Sequence, residues 1–431
     1  MLSTRTIKPI QKRQKCTLAG LMVLAFVAAP AITLADVFSK ISEVDLPVAH
    51  GAQEPSLFST DGGRVWMSWT EPVADGFAVK TAIGGATGWS EPQTVVSSDA
   101  LFVNWADFPS VAAFPDGTLV AHWLNKNGPS SYDYDVNIAL SADLGISWGD
   151  IIIPHRDRSR RQHGFVSLLP VATDRLLVVW LDGRAYDADA LDEYEDAFAN
   201  AIQLRATNLA SDGTLSDNTL IDVRTCSCCQ TSAAVTGDGV VLVAYRDRTE
   251  GEIRNISLVR LADGVWSDPA TIHADGWEIS GCPVNGPAID AMAQTAVVVW
   301  FSGANDIPVV NVAFSNDGGL NFDNAIRVDI GEAAGRVDVV LLDEGSALVS
   351  WVEWTDVGEA LLVCRATPAT GCGTPQTVTL NDAAGSINFP RMVRNGNDVF
   401  IAWTQPVDHR AADPDLDVTI KMVLGKLAGS P

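Results

Sequence analysis

The chain has 431 residues, 47% of them hydrophobic and 19% charged, with a formal net charge of −24. A protein this acidic does not hold nucleic acid through its phosphates, and the chain is long for one ordinary core. The acidity argues for solubility more than for any one partner.

The first 35 residues stand apart. Arg5, Lys8, Lys12, Arg13 and Lys15 give a basic start with no acid, residues 18–34 are apolar, and Thr33-Leu34-Ala35 offers a small-residue cleavage site. This is the pattern of a secretory signal peptide. Cys16 precedes the apolar run, which rules it out as a lipoprotein cysteine. No other run is long enough to span a bilayer. Residues 36–431 are therefore expected as one mature domain, periplasmic or secreted, with no membrane attachment. Removing the leader takes the net charge from −24 to −29.

A repeat governs the remainder. Residues 109–154 hold short apolar runs at 111–114, 118–123, 136–140 and 151–153, the first two joined through Pro115-Asp116-Gly117. Pro and Gly at that junction make a tight hairpin, and the whole has the length of one four-stranded propeller blade. Its second run recurs seven times, ending at Trp69, Trp123, Trp180, Tyr245, Trp300, Trp351 and Trp403, at intervals of 51 to 65 residues. The third run also recurs seven times, as in FAVKTAI and DVNIALS. The fourth recurs six times, as PQTVV, GDIII, DNTLI, PATI, NAIRV and PQTVT. The segment SKISEVDLP at 39–47 has the pattern of the missing copy. An N-terminal strand that completes the last blade removes the open sheet edges. The expected fold is all-β, a propeller of seven four-stranded blades. Six blades with an extra hairpin is the alternative.

Two turns carry a tighter signature. Ser141, Asp143, Gly145 and Trp148, and again Ser315, Asp317, Gly319 and Phe322, fit S-x-D-x-G-x-x-W/F. Ser and Asp bond turn N–H groups, Gly supplies a positive φ, and the aromatic plugs the blade. These segments resemble the Asp-box (BNR) repeats of the sialidase superfamily. In that family the box is structural and lies away from the active site, so the resemblance implies only a structural role for these eight residues.

With strands lettered A to D from the axis outward, A–B and C–D turns share one face, and D–A connections and B–C loops share the other. The second face collects the unusual residues. Trp105, Asp107, His163, Arg184, Arg246, Arg248, Asn285 and Arg391 are expected around that axial mouth, with His50 and the His409-Arg410 pair nearby. Chemistry on the loops at one end of a scaffold is the common arrangement. Arginine forks suit a carboxylate ligand. Arg184, Arg246, Arg248 and Arg391 are therefore candidate catalytic residues, with Asp107 as an acid. Trp105, His163 and Asn285 are candidate ligand contacts. The resemblance to sialidases implies an exo-glycosidase acting on anionic glycans. The family's Phe-Arg-Ile-Pro signature is absent, however, and Tyr132, Tyr134, Tyr186 and Tyr194 have no clear Glu partner.

Six of the seven cysteines follow the leader. Cys364 and Cys372 flank a C–D hairpin and suit a local disulfide. Cys226, Cys228 and Cys229 open the fourth blade and Cys282 the fifth, in neighbouring D–A connections. They suit either two disulfides or a thiolate site for Zn or Cu, with His163 as an extra ligand. Three functions follow: a glycan-binding or glycan-cleaving propeller, a cysteine-ligated metal binder, and a non-catalytic scaffold. A monomer is expected, with a carbohydrate or other small anionic ligand as partner.

Overall fold

The structure, a computed structural model, describes residues 37–60, 63–186, 202–342, 345–382, 385–407 and 417–429. The expected leader and residues Tyr194, His409 and Arg410 lie outside that set. The chain forms seven antiparallel sheets arranged as a seven-bladed propeller. The innermost strands, blades 1 to 7, are Gln53–Ser59, Ser110–Ala113, His163–Ala172, Ser232–Val235, Ala288–Met292, Ala333–Leu341 and Asn388–Asn395. The last blade continues through Asp398–Pro406 and Val418–Leu427, and Phe38–Glu43 forms its outer edge. The ring thus closes with the N-terminal strand, and the six-blade alternative is excluded.

The second strand of each blade is apolar without alternation because neighbouring blades cover both its faces. Trp69, Trp180, Trp300 and Trp351 are all 0% exposed. A buried indole N–H needs an acceptor. Four blades supply it two residues on: Trp69 donates to Glu71, Trp180 to Asp182, Trp351 to Glu353 and Trp403 to Gln405, at 2.6–3.0 Å. Blade 2 departs from the repeat. Its fourth strand shrinks to one bridge, Ile138 to Ile152, with Ile151 and Ile153 exposed.

Side chains stitch adjacent inner strands together around the axis. Asp107 Oδ1 accepts Phe165 N–H (2.7 Å), Ser232 Oγ accepts Ile289 N–H (3.1 Å), Asp290 Oδ2 accepts Leu341 N–H (2.7 Å), and Asp338 Oδ2 accepts Met392 N–H (2.6 Å). Thr231 Oγ1 donates to Phe165 O (2.8 Å). The inner strands surround an axial cavity of about 790 Å³.

Both Asp boxes form as expected. Ser141 Oγ accepts Gly145 N–H at 2.8 Å, and Asp143 Oδ1 accepts Ser147 N–H at 2.9 Å. Ser315 and Asp317 repeat the pattern with Gly319 and Asn321 at 3.0 and 2.9 Å. These bonds hold both carboxyls down at about 2. Asp143→Ala is expected to lower the melting temperature by roughly 1–2 °C, as one lost turn bond does in a domain of this size. Ligand binding on the opposite face should be unchanged. A loss of binding at unchanged melting temperature would reverse the assignment of faces.

Candidate metal centre

The strongest convergence of reactive side chains lies where blades 3, 4 and 5 are joined. The outer strand of blade 3 ends at Thr225, and Cys226 N–H donates to Arg246 O at 3.0 Å, which pins the connection to the rim of blade 4. The chain then turns through Cys226 to Cys229 before Ser232 begins the next inner strand. This tight turn gathers three sulfurs. Cys226 Sγ lies 3.3 Å from Cys229 Sγ and 3.7 Å from Cys228 Sγ. Cys282, from the next connection, lies 3.9 Å from Ser227 Oγ, beside but outside the three sulfurs that sit within 4.8 Å of one another. Cys226 and Cys229 are buried, Cys228 is half-buried and Cys282 is exposed, so the group opens to solvent on one side. All four are free thiols, whereas Cys364 and Cys372 form a disulfide in blade 6.

A positive frame surrounds the sulfurs. Arg254 Nη1 donates to Cys226 Sγ at 3.2 Å. Its Nη2 and Nε bond Glu252, and Arg248 grips the same carboxylate at 2.6 Å. Arg248, Glu252 and Arg254 thus form a chain of ion pairs ending on a thiol. Arg246 is 1% exposed and donates to Asn285 O, Arg254 O and Phe301 O at 2.6–3.0 Å, with its guanidinium 5.0 Å from the Trp277 ring. Hydrogen bonds from Cys228 and Cys229, with the Arg254 charge behind them, hold the Cys226 thiol well below its ordinary value. Cys228 and Cys229 are pushed up, the first mainly by bonding Cys226 and the second mainly by burial.

This geometry departs from the arginine clamp expected at the mouth. Among the described residues, the four candidate arginines do not converge on one ligand position. Arg184 pairs with Asp182 at 2.7 Å and also donates to His155 O. Arg246 is committed to backbone carbonyls and Arg248 to Glu252. Arg391 lines the axial cavity, 4.7 Å from the Phe108 ring. Asn285 braces blades 5 and 6, its Oδ1 accepting Arg336 N–H at 2.7 Å. His163 does not join the sulfurs. Its ring stacks on His155 at 3.8 Å and faces Asp157 and Asp182. Exposed His50 faces Asp417. Arg254, which completes the cysteine site, has no motif around it in the sequence.

Asp107 and Trp105 occupy the mouth proper. Trp105 is 42% exposed and stacks on Phe389 with centroids 5.7 Å apart. Asp107 is 3% exposed, and burial raises its carboxyl from 3.8 to about 7. Tyr134 starts a strand and is buried beside it. The folded chain therefore prefers Asp107 protonated. That preference stabilises fully below the unfolded value near 3.8 and is lost as pH rises through about 7. Asp107→Asn keeps an acceptor for Phe165 N–H. It is expected to raise the melting temperature above pH 7 and give no gain near pH 4. A gain of equal size at both pH values would contradict the buried-acid assignment.

No protein-family model and no curated protein matches the sequence. Solved structures share the fold at low identity. An alpha-L-arabinofuranosidase from Fusarium graminearum is 11% identical, with 90% of this chain and 98% of that chain covered and a TM-score of 0.50. The polysaccharide lyase Uly1 is 10% identical over 88% and 91%, TM-score 0.49. A NanB sialidase from Streptococcus pneumoniae is 12% identical over 92% and 71%, TM-score 0.45. The chain is a seven-bladed propeller, and at 11% identity its likeness to the arabinofuranosidase is one of fold alone.

Proposed function

We propose that the protein is an exported propeller that binds a thiophilic metal cation, Cu(I) or Zn²⁺, through Cys226, Cys228, Cys229 and Cys282. The observation that carries this is the sulfur geometry. A tetrahedral thiolate shell with metal–sulfur bonds of about 2.3 Å has sulfur–sulfur edges of about 3.8 Å. Cys226 sits 3.7 and 3.3 Å from its two neighbours, close to such a shell. Bonding the adjacent Cys228 and Cys229 to each other would be strained. Several thiolates around one ion leave negative charge, and Arg254 on Cys226 offsets it. Exposed Cys282 leaves one side accessible, which suits exchange of the ion rather than a sealed structural site. Export is supported by the basic and apolar leader and by the Cys364–Cys372 disulfide, a bond favoured in oxidising compartments.

The test is Co²⁺ titration of reduced mature protein, followed by Zn²⁺ and Cu(I) competition. One equivalent with sulfur-to-cobalt charge-transfer bands is expected, displaced by either ion and absent in Cys226→Ser. Four thiols that accept no ion when reduced, and pair into two disulfides when oxidised, would refute the proposal.

A second reading has one specific observation in its favour. The exposed Trp105 face on Phe389 is a platform of the kind that stacks on sugar rings. If the mouth binds glycans, an oligosaccharide bound by the mature protein should lose most of its affinity in Trp105→Ala while metal binding persists. Absence of any glycan binding by the unmodified protein removes this reading.

A further inference from the structure

A second cluster of ligating side chains lies one connection away, between blades 2 and 3, and neither the thiol site nor the Asp boxes use it. The connection leaving blade 2 brings in His155 and Asp157, and the first residue of the next inner strand is His163. Asp182 ends the strand beside it, and Asp135 comes from blade 2. The two imidazoles stack face to face, 3.8 Å apart and 10° from parallel, and both histidine side chains are at most 1% exposed.

Hydrogen positions on His163 follow from its partners. Its Nδ1 lies 3.0 Å from Arg161 O, a carbonyl that can only accept, so Nδ1 carries a hydrogen. The other nitrogen, Nε2, is buried without a hydrogen bond. It points at Asp157 Oδ1 (3.2 Å) and Asp182 Oδ1 (3.6 Å). On a neutral ring that places a lone pair against two carboxylates. His155 is arranged alike: Nδ1 bonds Asp157 Oδ1 at 2.7 Å, while Nε2 faces Asp135 Oδ1 at 3.3 Å without a hydrogen bond. Two imidazolium rings stacked at this distance repel strongly in a buried site. A neutral ring at either position presents its lone pair to a carboxylate. The His163 side has two carboxylates and an Nδ1–H held by a backbone carbonyl, the arrangement that orients a histidine for a metal. Asp157 has a second oxygen anchored by Ser159, and Trp180 and Arg184 anchor Asp182 at Oδ2, while Arg184 also donates to Asp182 Oδ1 from its backbone N–H and Nε and lies 3.5 Å from Asp157 Oδ1, so the guanidinium holds both carboxylates in place and leaves each Oδ1 a further lone pair.

We infer that His163 Nε2, Asp157 and Asp182 form a second metal site, for a borderline divalent cation such as Zn²⁺, with His155 holding Asp157 in place. Nitrogen and carboxylate donors differ in kind from the thiol site, so one chain would carry two metal sites of different donor type on neighbouring connections.

The test uses mature protein in which Cys226, Cys228, Cys229 and Cys282 are all replaced by serine, so the thiol site cannot contribute. Zn²⁺ titration near neutral pH is expected to show one equivalent bound, and Co²⁺ to bind without sulfur charge-transfer bands. His163→Gln and Asp157→Asn should each weaken Zn²⁺ by at least roughly tenfold, with circular dichroism unchanged. No Zn²⁺ bound, or binding indifferent to both substitutions, overturns the inference whatever the thiol site does. Should the serine variant not fold, histidine nitrogen NMR of the unsubstituted protein decides. A neutral His163 whose Nε2 resonance shifts on Zn²⁺ addition supports the site. An imidazolium that Zn²⁺ leaves unmoved refutes it.

Discussion

A chain lacking residues 37–47 is expected to aggregate or lose its cooperative melting transition. Residues Phe38–Glu43 pair with Leu427–Val423 to supply the outer edge of blade 7. Without them that strand presents unpaired N–H and C=O groups along its length. The strand also fills the core. Phe38 is 2% exposed and belongs to the cluster shared by blades 6 and 7. Its N–H donates to Gln376 in blade 6 at 3.0 Å, so it ties two blades at once. Its ring lies where a side chain at Gly425 would stand, 2.6 Å from an added Cβ. Phe38→Ala should therefore cost about 3–5 kcal/mol, and Gly425→Ala should destabilise by displacing the same ring. A truncated protein that melts like the mature chain would show that the ring does not depend on this closure.

Arg254→Ala is expected to weaken metal binding at the cysteines by roughly 10–100-fold, the range seen when a ligand's supporting partner is lost. The guanidinium touches Cys226 Sγ at 3.2 Å, at the buried end of the cluster. Removing it leaves the thiolates to repel one another and should raise the Cys226 thiol toward its ordinary value. Arg254→Lys keeps the charge but loses the fork that reaches Cys226 and Glu252 together, so partial recovery is expected. Cys226→Ser, by contrast, should abolish binding. Equal loss of affinity in Arg254→Ala and Arg254→Lys, with the thiol unshifted, would mean that Arg254 serves packing alone.

Much of the fold was legible because its determinants are local and repeated. The strand-end tryptophans, the turn glycines and the Asp boxes each act within one blade, so their spacing reports the blade count. The orphan pattern at 39–47 revealed closure because six fourth strands had to serve seven blades. The nearness of Cys282 to the Cys226–Cys229 turn has a related reason: consecutive D–A connections are neighbours in any such ring. The partners of charged residues were not. Arg184, Arg246 and Arg248 have the right type and loop position for a ligand clamp. Yet Asp182, the carbonyls of Asn285 and Phe301, and Glu252 take them up. Asp182 is itself fixed by Trp180, through a two-residue spacing on the second strand that recurs at Trp69, Trp351 and Trp403. His163 was misdirected because its side chain is set by the irregular start of its strand. The pairing register shifts between Gly164 and Ser167, and Phe165 takes a φ of 53°. Strand alternation read from sequence carries no trace of that bulge.

X-ray absorption at the metal edge of mature protein, isolated with its ion and kept reduced, tests the central claim most directly. The account predicts sulfur scattering at about 2.3 Å from zinc, reaching three or four sulfurs per ion in the His163→Gln variant and lost in Cys226→Ser. A shell of nitrogen and oxygen alone, or protein without metal in which Cys226, Cys228, Cys229 and Cys282 are joined in disulfides that survive isolation under reducing conditions, would contradict it.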